Sequence, residues 1–175
     1  LSGGNYIINL PESLAFFGKG SIGGVPVLVI TFVVVAVIGY FVLQYTAYGR
    51  HIYAVGGNPV SAWLSGIDAK RMLLVAYTIS GLLAGMSGFL ILARTRSATR
   101  DTLAGLELNS IATVCIGGVS LFGVRGSLIG VVIGVLIMGV ISNAMSVMGV
   151  DPSIQGITTG AIIIVAVAID HLRRR

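Results

Sequence analysis

The chain has 175 residues, of which 55% are apolar and 10% are charged, and its mean hydropathy is +0.99. These values exclude an ordinary soluble domain and place the chain among integral membrane proteins. The net charge of +5 comes from short basic runs beside apolar segments, a pattern typical of topology signals and not of nucleic-acid binding.

Residues 1–24 alternate glycine with short apolar groups around Pro11 and Glu12, which predicts a loop with one turn of interfacial helix over residues 13–17. The sequence starts at Leu1 with no initiator methionine and no signal-peptide pattern. We therefore expect a fragment, or a processed part, of a longer chain. The uncharged stretch from Val27 to Thr46 is long enough to be the first membrane span.

The longest polar interval between two apolar segments is residues 48–71. Within it, Asn58 is a good helix cap, Pro59 suits the first helical position and Gly66 suits a left-handed stop, which predicts a helix of about two turns. Its apolar residues share one face: Val60, Trp63, Leu64 and Ile67. Because so short a helix is marginal alone, it should lie on the lipid headgroups, with Trp63 as an interfacial anchor, or in the groove of a partner protein.

Met72 to Ala93 is the second uncharged span. Its glycines Gly81, Gly85 and Gly88 lie along one side, which predicts close helix packing. The polar run that follows, residues 94–107, is typical of a solvated loop. Residues 108–124 are interrupted by two adjacent glycines and are interpreted as a short or broken span, or as a re-entrant segment.

Ser127 to Met148 is the next predicted span, and Gly126, Gly130 and Gly134 place a small residue at every fourth position of one face, again predicting helix packing. After a turn at residues 151–152, an uncharged stretch over residues 154–169 closes the series. We therefore expect an all-α integral membrane fold: residues 1–175 as a single polytopic helical bundle of about five transmembrane segments.

Charge counting leaves the topology open. With five spans and the 48–71 loop inside, seven basic residues face the cytoplasm against four outside, as the positive-inside rule requires. If residues 108–124 do not cross, the opposite orientation gives eight against three, with the 48–71 loop outside. Charge alone favours that second arrangement, whereas the apolar character of residues 108–124 favours five spans.

Groups suited to catalysis are few, and we expect no enzyme activity, no catalytic residue, no metal site and no cofactor in this chain. The two histidines, His51 and His171, flank spans, the carboxylates show no paired spacing on a helix, and the single cysteine, Cys115, excludes a multi-cysteine metal site. No Walker A pattern is present. We therefore expect that this chain does not itself bind ATP through such a site.

The predicted spans contain no ionisable side chain apart from Cys115 and the phenols of Tyr40, Tyr45 and Tyr77, which argues against an ion-coupled carrier. A neutral polyhydroxylated solute could instead pass along hydroxyl and amide groups. The candidates for such a translocation path, each equally suited to an interhelical hydrogen bond, are Asn109, Ser110, Thr113, Ser142, Asn143 and Gln155.

Two groups of residues carry a resemblance to a known family. The first is Gly49-Arg50, Tyr53 to Pro59 and Leu64 to Asp68. The second is Glu107-Leu108, Ile111-Ala112, Ile116 to Gly118, Ser120 to Gly123 and Arg125 to Ser127. In these residues the chain resembles the C-terminal half of the ribose-type permeases, the membrane subunits of bacterial ATP-binding-cassette sugar importers.

The chain departs from that family at several positions. Val60-Ser61-Ala62 stand where the family usually has Glu-Ala-Ala, and Trp63 stands where it usually has Arg. Val119 and Val124 stand where it usually has Thr and Gly. At Val60 and Trp63 this chain lacks the charges that the family usually has. A charge-based contact with a partner is therefore not expected at these two positions.

The resemblance implies that loop 48–71 is a cytoplasmic coupling loop, on the same side of the membrane as the C-terminus. Its ATPase-coupling residues would be Asn58, Pro59, Val60, Ser61, Ala62, Trp63, Leu64, Ser65, Gly66 and Ile67. The implied partners are cytoplasmic ATP-binding subunits, a second permease subunit in a homo- or heterodimer, a periplasmic sugar-binding protein and the lipid bilayer, with no nucleic acid. The implied location is the bacterial inner membrane.

Two other classes of protein remain open on the residues alone. One is a secondary transporter or channel subunit that is not coupled to ATP and whose 48–71 loop lies on the bilayer. The other is a non-transporting membrane scaffold built by the same glycine packing. Co-purification of an ATPase would separate the importer from both.

Overall fold

The computed structural model describes residues 7–8, 12–98, 105–120 and 126–172. These residues form eight α-helices and two short β-ladders, so the predicted all-α architecture is confirmed. The helices are α1 Glu12–Lys19, α2 Val27–Tyr45, α3 Ala47–Gly57, α4 Pro59–Leu64, α5 Ala69–Thr95, α6 Leu106–Ile116, α7 Leu128–Val147 and α8 Pro152–Leu172. The strands are β1 Ile7–Ile8, β2 Ser21–Ile22, β3 Val25–Pro26 and β4 Ser97–Ala98.

Within the described ranges, three helices are long and apolar enough to cross a membrane: α2, α5 and α7, with 19, 27 and 20 residues. Many of their large apolar side chains are exposed in the single chain, as lipid-facing or helix-facing residues of a membrane protein are. The apolar part of α8, Pro152–Ala168, is shorter. These helices correspond to four of the five predicted spans.

The predicted short or broken segment is α6, which has 11 residues. At about 1.5 Å per residue it is roughly 16 Å long, about half of a ~30 Å hydrocarbon core. The helix ends because Gly118 has a φ of +75°, and the amides of Gly118 and Val119 bond back to the carbonyls of Cys115 and Val114. That pair of bonds is a Schellman stop, which glycine permits without strain.

The chain divides into two compact units, and the first comprises residues 1–48 and 68–104. In it, α1 lies against α5 and α2. A side chain on Gly18 would overlap the backbone of Ala93 and Arg94, and the rings of Phe17 and Phe89 meet edge to face at 5.9 Å. The single turn expected over residues 13–17 is therefore wrong in extent, because contact with α5 supports a helix of 8 residues.

Two short antiparallel ladders complete this unit. Strands β2 and β3 pair as a hairpin, Ile22 opposite Val25, and the turn between them uses Gly23 and Gly24, both with positive φ, as a two-residue hairpin requires. Strands β1 and β4 pair with Ile7 opposite Ala98. The sequence interpretation of residues 1–24 as a loop missed both elements.

The second unit comprises residues 49–67 and 105–175, in which α6 packs against both α7 and α8. Helices α6 and α7 are antiparallel: Gly117 lies against Gly130, and Thr113 lies one turn away against Gly134. The fully buried Ala112 is also on α6. Helix α6 is thus the centre of this unit, although it is the shortest of its three apolar helices.

Candidate functional site

Helix α4 is built as its sequence predicts. The side-chain oxygen of Asn58 accepts from the backbone N–H groups of Val60 and Ser61 at 3.0 and 3.1 Å, and Pro59 occupies the first helical position. Gly66 has a φ of +80° and donates to the Trp63 carbonyl. The predicted capping and the left-handed stop are confirmed.

The helix has 6 residues, close to the two turns predicted, but Ile67 is not part of it. The amide of Ile67 bonds to the carbonyl of Ala62 at 3.0 Å, which closes the Schellman motif and places Ile67 outside the helix. Ile67 is only half-exposed. The expected four-residue face is therefore a three-residue face, and it consists of Val60, Trp63 and Leu64.

The large apolar side chains of that face are exposed in the single chain, as are many on the membrane-spanning helices. Val60, Trp63 and Leu64 are 67%, 69% and 74% exposed, whereas Ala62 on the opposite side is 4% exposed. Val60, Trp63 and Leu64 project into space that the described residues do not fill, and we call them the α4 face.

Helix α3 precedes α4 and was missed by the sequence interpretation. Its Gly49 and Val55 are buried, and Tyr48, Ile52 and Val55 follow the spacing of one helical face, which is the signal that could have revealed it. The hydroxyl of Tyr53 donates to the carbonyl of Gly126 at 3.4 Å. The segment that presents α4 is thereby tied to the residues that lead into α7.

At the C-terminal end of the loop, helix α5 begins with its own N-cap, Asp68. The carboxylate of Asp68 accepts from the amides of Lys70 and Arg71 at 3.0 and 3.2 Å and pairs with the Arg71 side chain at 3.0 Å. This ion pair is well exposed, so it contributes little to stability. The cap defines where α5 begins.

The predicted packing glycines fall into two groups. Gly130 and Gly134 face α6 so closely that a side chain there would overlap the backbone of Gly117 and Thr113, and a side chain on Gly126 would meet Val119 at 3.0 Å. Gly81, Gly85 and Gly88 on α5 instead have open space beside them. Packing at the α5 glycines stays a prediction.

Beyond the glycine contact, α6 and α7 border an open pocket of about 380 Å³, which we call the α6–α7 pocket. Four of the six residues predicted for a translocation path line it: Asn109, Ser110, Thr113 and Ser142. The remaining lining residues are apolar or glycine: Leu106, Val114, Val131, Val135, Met138 and Gly139.

The hydrogen bonds of these four residues are mostly local. Ser110 donates to the Leu106 carbonyl at 2.8 Å and Thr113 to the Asn109 carbonyl at 2.7 Å. The side-chain oxygen of Asn109 is buried and accepts no hydrogen bond from the described part of the chain, a condition that typically costs about 1–3 kcal/mol.

The two other predicted path residues lie elsewhere. Gln155 on α8 donates to the Val150 carbonyl at 2.9 Å and so closes the turn between α7 and α8. Asn143 is exposed on α7 and does not line the α6–α7 pocket. The structure therefore brings together four of the six and separates these two.

Ionisable groups are sparse around α4 and around the α6–α7 pocket. Across the described ranges, no three of the His, Cys, Asp and Glu side chains come together as a metal site would require. The clearest electrostatic feature is Asp151 at the start of α8, whose pKa is held below its ordinary value because the backbone N–H and the hydroxyl of Ser153 hydrogen-bond to its carboxylate.

Taken together, the apolar helices long enough to span and the capped loop helix with its exposed apolar face are the features of a multi-pass membrane protein. A family model described as "Branched-chain amino acid transport system / permease component" matches residues 1–167. The chain belongs to this permease family.

Curated relatives are similar over most of the chain. The ribose import permease protein RbsC of Bacillus subtilis is 39% identical over 170 residues, 96% of this chain and 53% of the relative. The fructose import permease protein FrcC of Rhizobium meliloti is 40% identical over 93% of this chain and 46% of the relative. The D-allose transport system permease protein AlsC of Escherichia coli is 40% identical over 98% and 53%.

The chain thus spans about half the length of the curated relatives it matches. No solved structure matches it at a significant level.

Proposed function

We propose that the chain is part of the permease subunit of an ATP-driven importer for a neutral monosaccharide, and that α4 couples it to a separate ATPase. The relatives named above are import or transport permeases for ribose, fructose and allose. The single observation that carries the coupling role is the α4 face, because three large apolar side chains project from a rigidly capped helix.

Exposure of the α4 face to water is unfavourable. Leaving large apolar side chains in water forgoes roughly 1.5–3 kcal/mol each, so a partner surface that covers Val60, Trp63 and Leu64 gains binding energy. The cap at Asn58 and the stop at Gly66 fix the helix in advance, so little ordering entropy is lost on docking. The helix therefore suits the short-helix-in-groove mode of recognition.

The departures from the family residues fit an apolar contact. Val60 and Trp63 replace the usual acidic and basic residues, and both are exposed. We infer that the ATPase of this system offers a hydrophobic groove at these positions, where a family member of the usual sequence would use charge pairs.

The proposal assigns the remaining parts as follows. Residues 48–71 form a cytoplasmic coupling loop on the same side as the C-terminus, in a bacterial inner membrane. ATP is bound and hydrolysed by two cytoplasmic subunits, and this chain holds no catalytic residue, cofactor or metal. A periplasmic sugar-binding protein delivers the solute to a dimer of permease subunits, and Asn109, Ser110, Thr113 and Ser142 border its path.

Two measurements test this function. The intact permease, purified from membranes in mild detergent, should retain an ATPase subunit, and proteoliposomes of that complex with its binding protein should take up sugar only when ATP is supplied. Uptake driven by an ion gradient without ATP would instead establish a secondary transporter. A scaffold would move no solute under either condition.

Sidedness supplies an independent check. A cysteine at Trp63, in a background with Cys115 replaced by serine, should react with a membrane-impermeant thiol reagent only from the cytoplasmic side. Labelling from the outside would exclude the coupling role and favour the four-span orientation. A residue that no reagent reaches until the ATPase subunit is removed would support docking.

A further inference from the structure

We propose that the carboxylate of Glu107 lies at membrane depth in a water-filled space, which we call the vestibule, and that it acts there as a charge filter that disfavours anions. The vestibule opens on the side of the membrane opposite to α4. That this side is the periplasmic one rests on the proposed function, whereas the depth and the charge of the site follow from α6 and α7 themselves.

The depth of Glu107 follows from the register between α6 and α7. The two antiparallel helices meet at two pairs of residues: Gly117 with Gly130, and Thr113 with Gly134. Continued along both helices, this register places Glu107 level with Val140 of α7. Leu106, the residue before Glu107, lines the α6–α7 pocket together with Ser142, in agreement with that register.

Val140 lies well inside the membrane span. Helix α7 has 20 residues, Leu128–Val147, and at about 1.5 Å per residue it is roughly 30 Å long, which matches the hydrocarbon core. Val140 precedes the C-terminal end of α7 by seven residues, or about 10 Å. The sequence alone predicted a solvated loop over residues 94–107, so the structure moves this carboxylate from the membrane surface to membrane depth.

The membrane surface nearer to Glu107 is the one opposite to α4. Tyr53, in the segment that leads into α4, donates to the carbonyl of Gly126, so the start of α7 lies on the α4 side. Because α7 spans, its C-terminal end lies on the other side. Side chains of an α-helix tilt toward its N-terminus, and α6 is antiparallel to α7, so the Glu107 side chain extends toward that other side.

A carboxylate at this depth requires water. Glu107 is exposed, and the ion pair found among the described residues joins Asp68 to Arg71 and leaves Glu107 unpaired. Contact with lipid or with an apolar helix would leave its charge unsolvated, which is far more costly than exposing an apolar side chain to water. The apolar lining of a groove does not distinguish water from lipid or a packed helix, but an unpaired charge does.

The charge of the vestibule is set by Glu107 within these two helices. It is the single charged residue of α6, and α7 has no charged residue in its 20 positions. Polar groups without charge lie at a similar level, among them Asn109 on α6 and Ser142 and Asn143 on α7. A cleft with low-dielectric walls concentrates the field of such a charge, so cations are enriched and anions are depleted.

Water access is tested in the intact permease, in right-side-out membrane vesicles and a background without other cysteines. Glu107→Cys is compared with Val140→Cys, which lies at the same depth but does not line the α6–α7 pocket. Membrane-impermeant thiol reagents, added from the side opposite to α4, should label the cysteine at position 107 at least about tenfold faster. Equal labelling rates would overturn the vestibule.

The charge is tested with Gly139→Cys, which leaves Glu107 in place. Gly139 lines the α6–α7 pocket together with Leu106, and a side chain built there meets no other atom within 4 Å. A thiol reagent with a trimethylammonium group should react faster than one with a sulfonate group, each relative to its rate with a free small thiol. For unit charges about 8 Å apart in water the expected ratio is about fivefold, and it should fall as salt is added.

Glu107→Gln keeps the size of the side chain, removes its charge and should bring this ratio to about one. Asp151→Asn is the matched control, because it removes a carboxylate beyond the C-terminal end of α7, and it should leave the ratio unchanged. A ratio that Glu107→Gln does not alter, or that both variants alter equally, would overturn the charge filter. A cysteine at Gly139 that reacts with neither reagent would do the same.

These labelling measurements do not depend on transport, so the two proposals can fail separately. If ATP-driven sugar uptake continues but the labelling tests fail, the vestibule is wrong and the importer function stands. If the labelling tests succeed but the unaltered complex takes up no sugar, the proposed function fails and the aqueous position of Glu107 stands.

Discussion

The Tyr53 hydroxyl lies 3.4 Å from the carbonyl oxygen of Gly126 and joins two segments that are 73 residues apart in the sequence. One segment presents the α4 face, and the other leads into α7, which lines the α6–α7 pocket. If α4 moves when a partner binds nucleotide, this hydrogen bond can transmit the movement to α7.

Replacing Tyr53 by Phe removes the hydroxyl and keeps the ring. We expect the rate of ATP-driven uptake to fall about two- to fivefold, because a long, partly exposed neutral hydrogen bond contributes about 0.5–1 kcal/mol. Insertion and ATPase co-purification should be unchanged. Tyr45→Phe, at an exposed ring of α2, is the control, and equal uptake by both variants would show that the contact transmits nothing.

The close approach of α6 and α7 at Gly134 predicts a sharp position dependence of stability. Gly134→Ala puts a methyl group into the Thr113 carbonyl, so the backbone must shift, at a cost of about 1–3 kcal/mol. Gly139→Ala, one turn further along and with open space beside it, should be neutral or stabilising by up to about 1 kcal/mol, since alanine favours helix.

Thermal unfolding of the two variants in detergent measures that difference. The melting temperature of Gly134→Ala should lie below that of the unaltered protein and that of Gly139→Ala should not. Equal melting temperatures would mean that α6 and α7 stand further apart in the membrane.

How far the sequence predicts this fold depends on where the determining interaction lies. Helix α4 could be predicted because Asn58, Pro59 and Gly66 act through bonds to their own neighbours. The end of α6 at Gly117–Gly118 was predicted as an interruption for the same reason. Interactions of this kind join residues that are close together in the sequence, so they can be predicted from it.

Elements that depend on distant contacts could not be predicted in the same way. Helix α1 is supported by its contact with α5, where Gly18 meets Ala93. The sequence of residues 1–24 contains no pattern that predicts this contact. Gly81, Gly85 and Gly88 of α5 and Gly130 and Gly134 of α7 have similar three- or four-residue spacing, yet of these five only Gly130 and Gly134 meet another helix among the described residues. The pocket residues were proposed from their polarity, but their grouping depends on how α6 crosses α7.

Asp151 gives a prediction that depends on pH. Its pKa is lowered by hydrogen bonds that Ser153 donates to the carboxylate, so the charged form is the one that holds the first turn of α8. This support is fully present above the ordinary pKa of 3.8 and is lost as the pH falls through the lowered value.

Hydrogen exchange at the Ser153 amide should therefore accelerate as the pH falls below about 3.8, beyond the intrinsic pH dependence of exchange. Asp151→Asn keeps a capping oxygen that does not titrate, so it should abolish this additional acceleration. A pH response that persists in the asparagine variant would assign the effect to another group.

The capping of α4 can be tested apart from any function. Asn58→Ala removes the acceptor for the Val60 and Ser61 amides and should destabilise the helix by about 1 kcal/mol, which corresponds to roughly fivefold faster exchange of those amides. Asn58→Asp retains an acceptor and should exchange like the unaltered protein. If both variants exchange equally fast, the cap does not stabilise α4.

The α4 face carries the most direct prediction about coupling. Replacing Trp63 or Leu64 by Asp places a carboxylate where the proposal requires apolar contact, and burying it unpaired should weaken association by about 2 kcal/mol or more, roughly 30-fold. ATP-driven uptake should be lost or hydrolysis should become independent of transport, while the protein still inserts, because both side chains are exposed in the chain alone.

Trp63→Phe is the control for the Trp63→Asp variant, and the two together separate docking on a protein from resting on lipid. A phenylalanine keeps the apolar contact and should retain most of the uptake, and Leu64→Met should do the same. Reconstitution of Trp63→Asp without the ATPase subunit gives the second half of the test: membrane association of the loop should be unchanged if α4 docks on a protein. If Trp63→Asp supports normal ATP-driven uptake, α4 is not the coupling element, and the force that drives transport must enter the permease elsewhere.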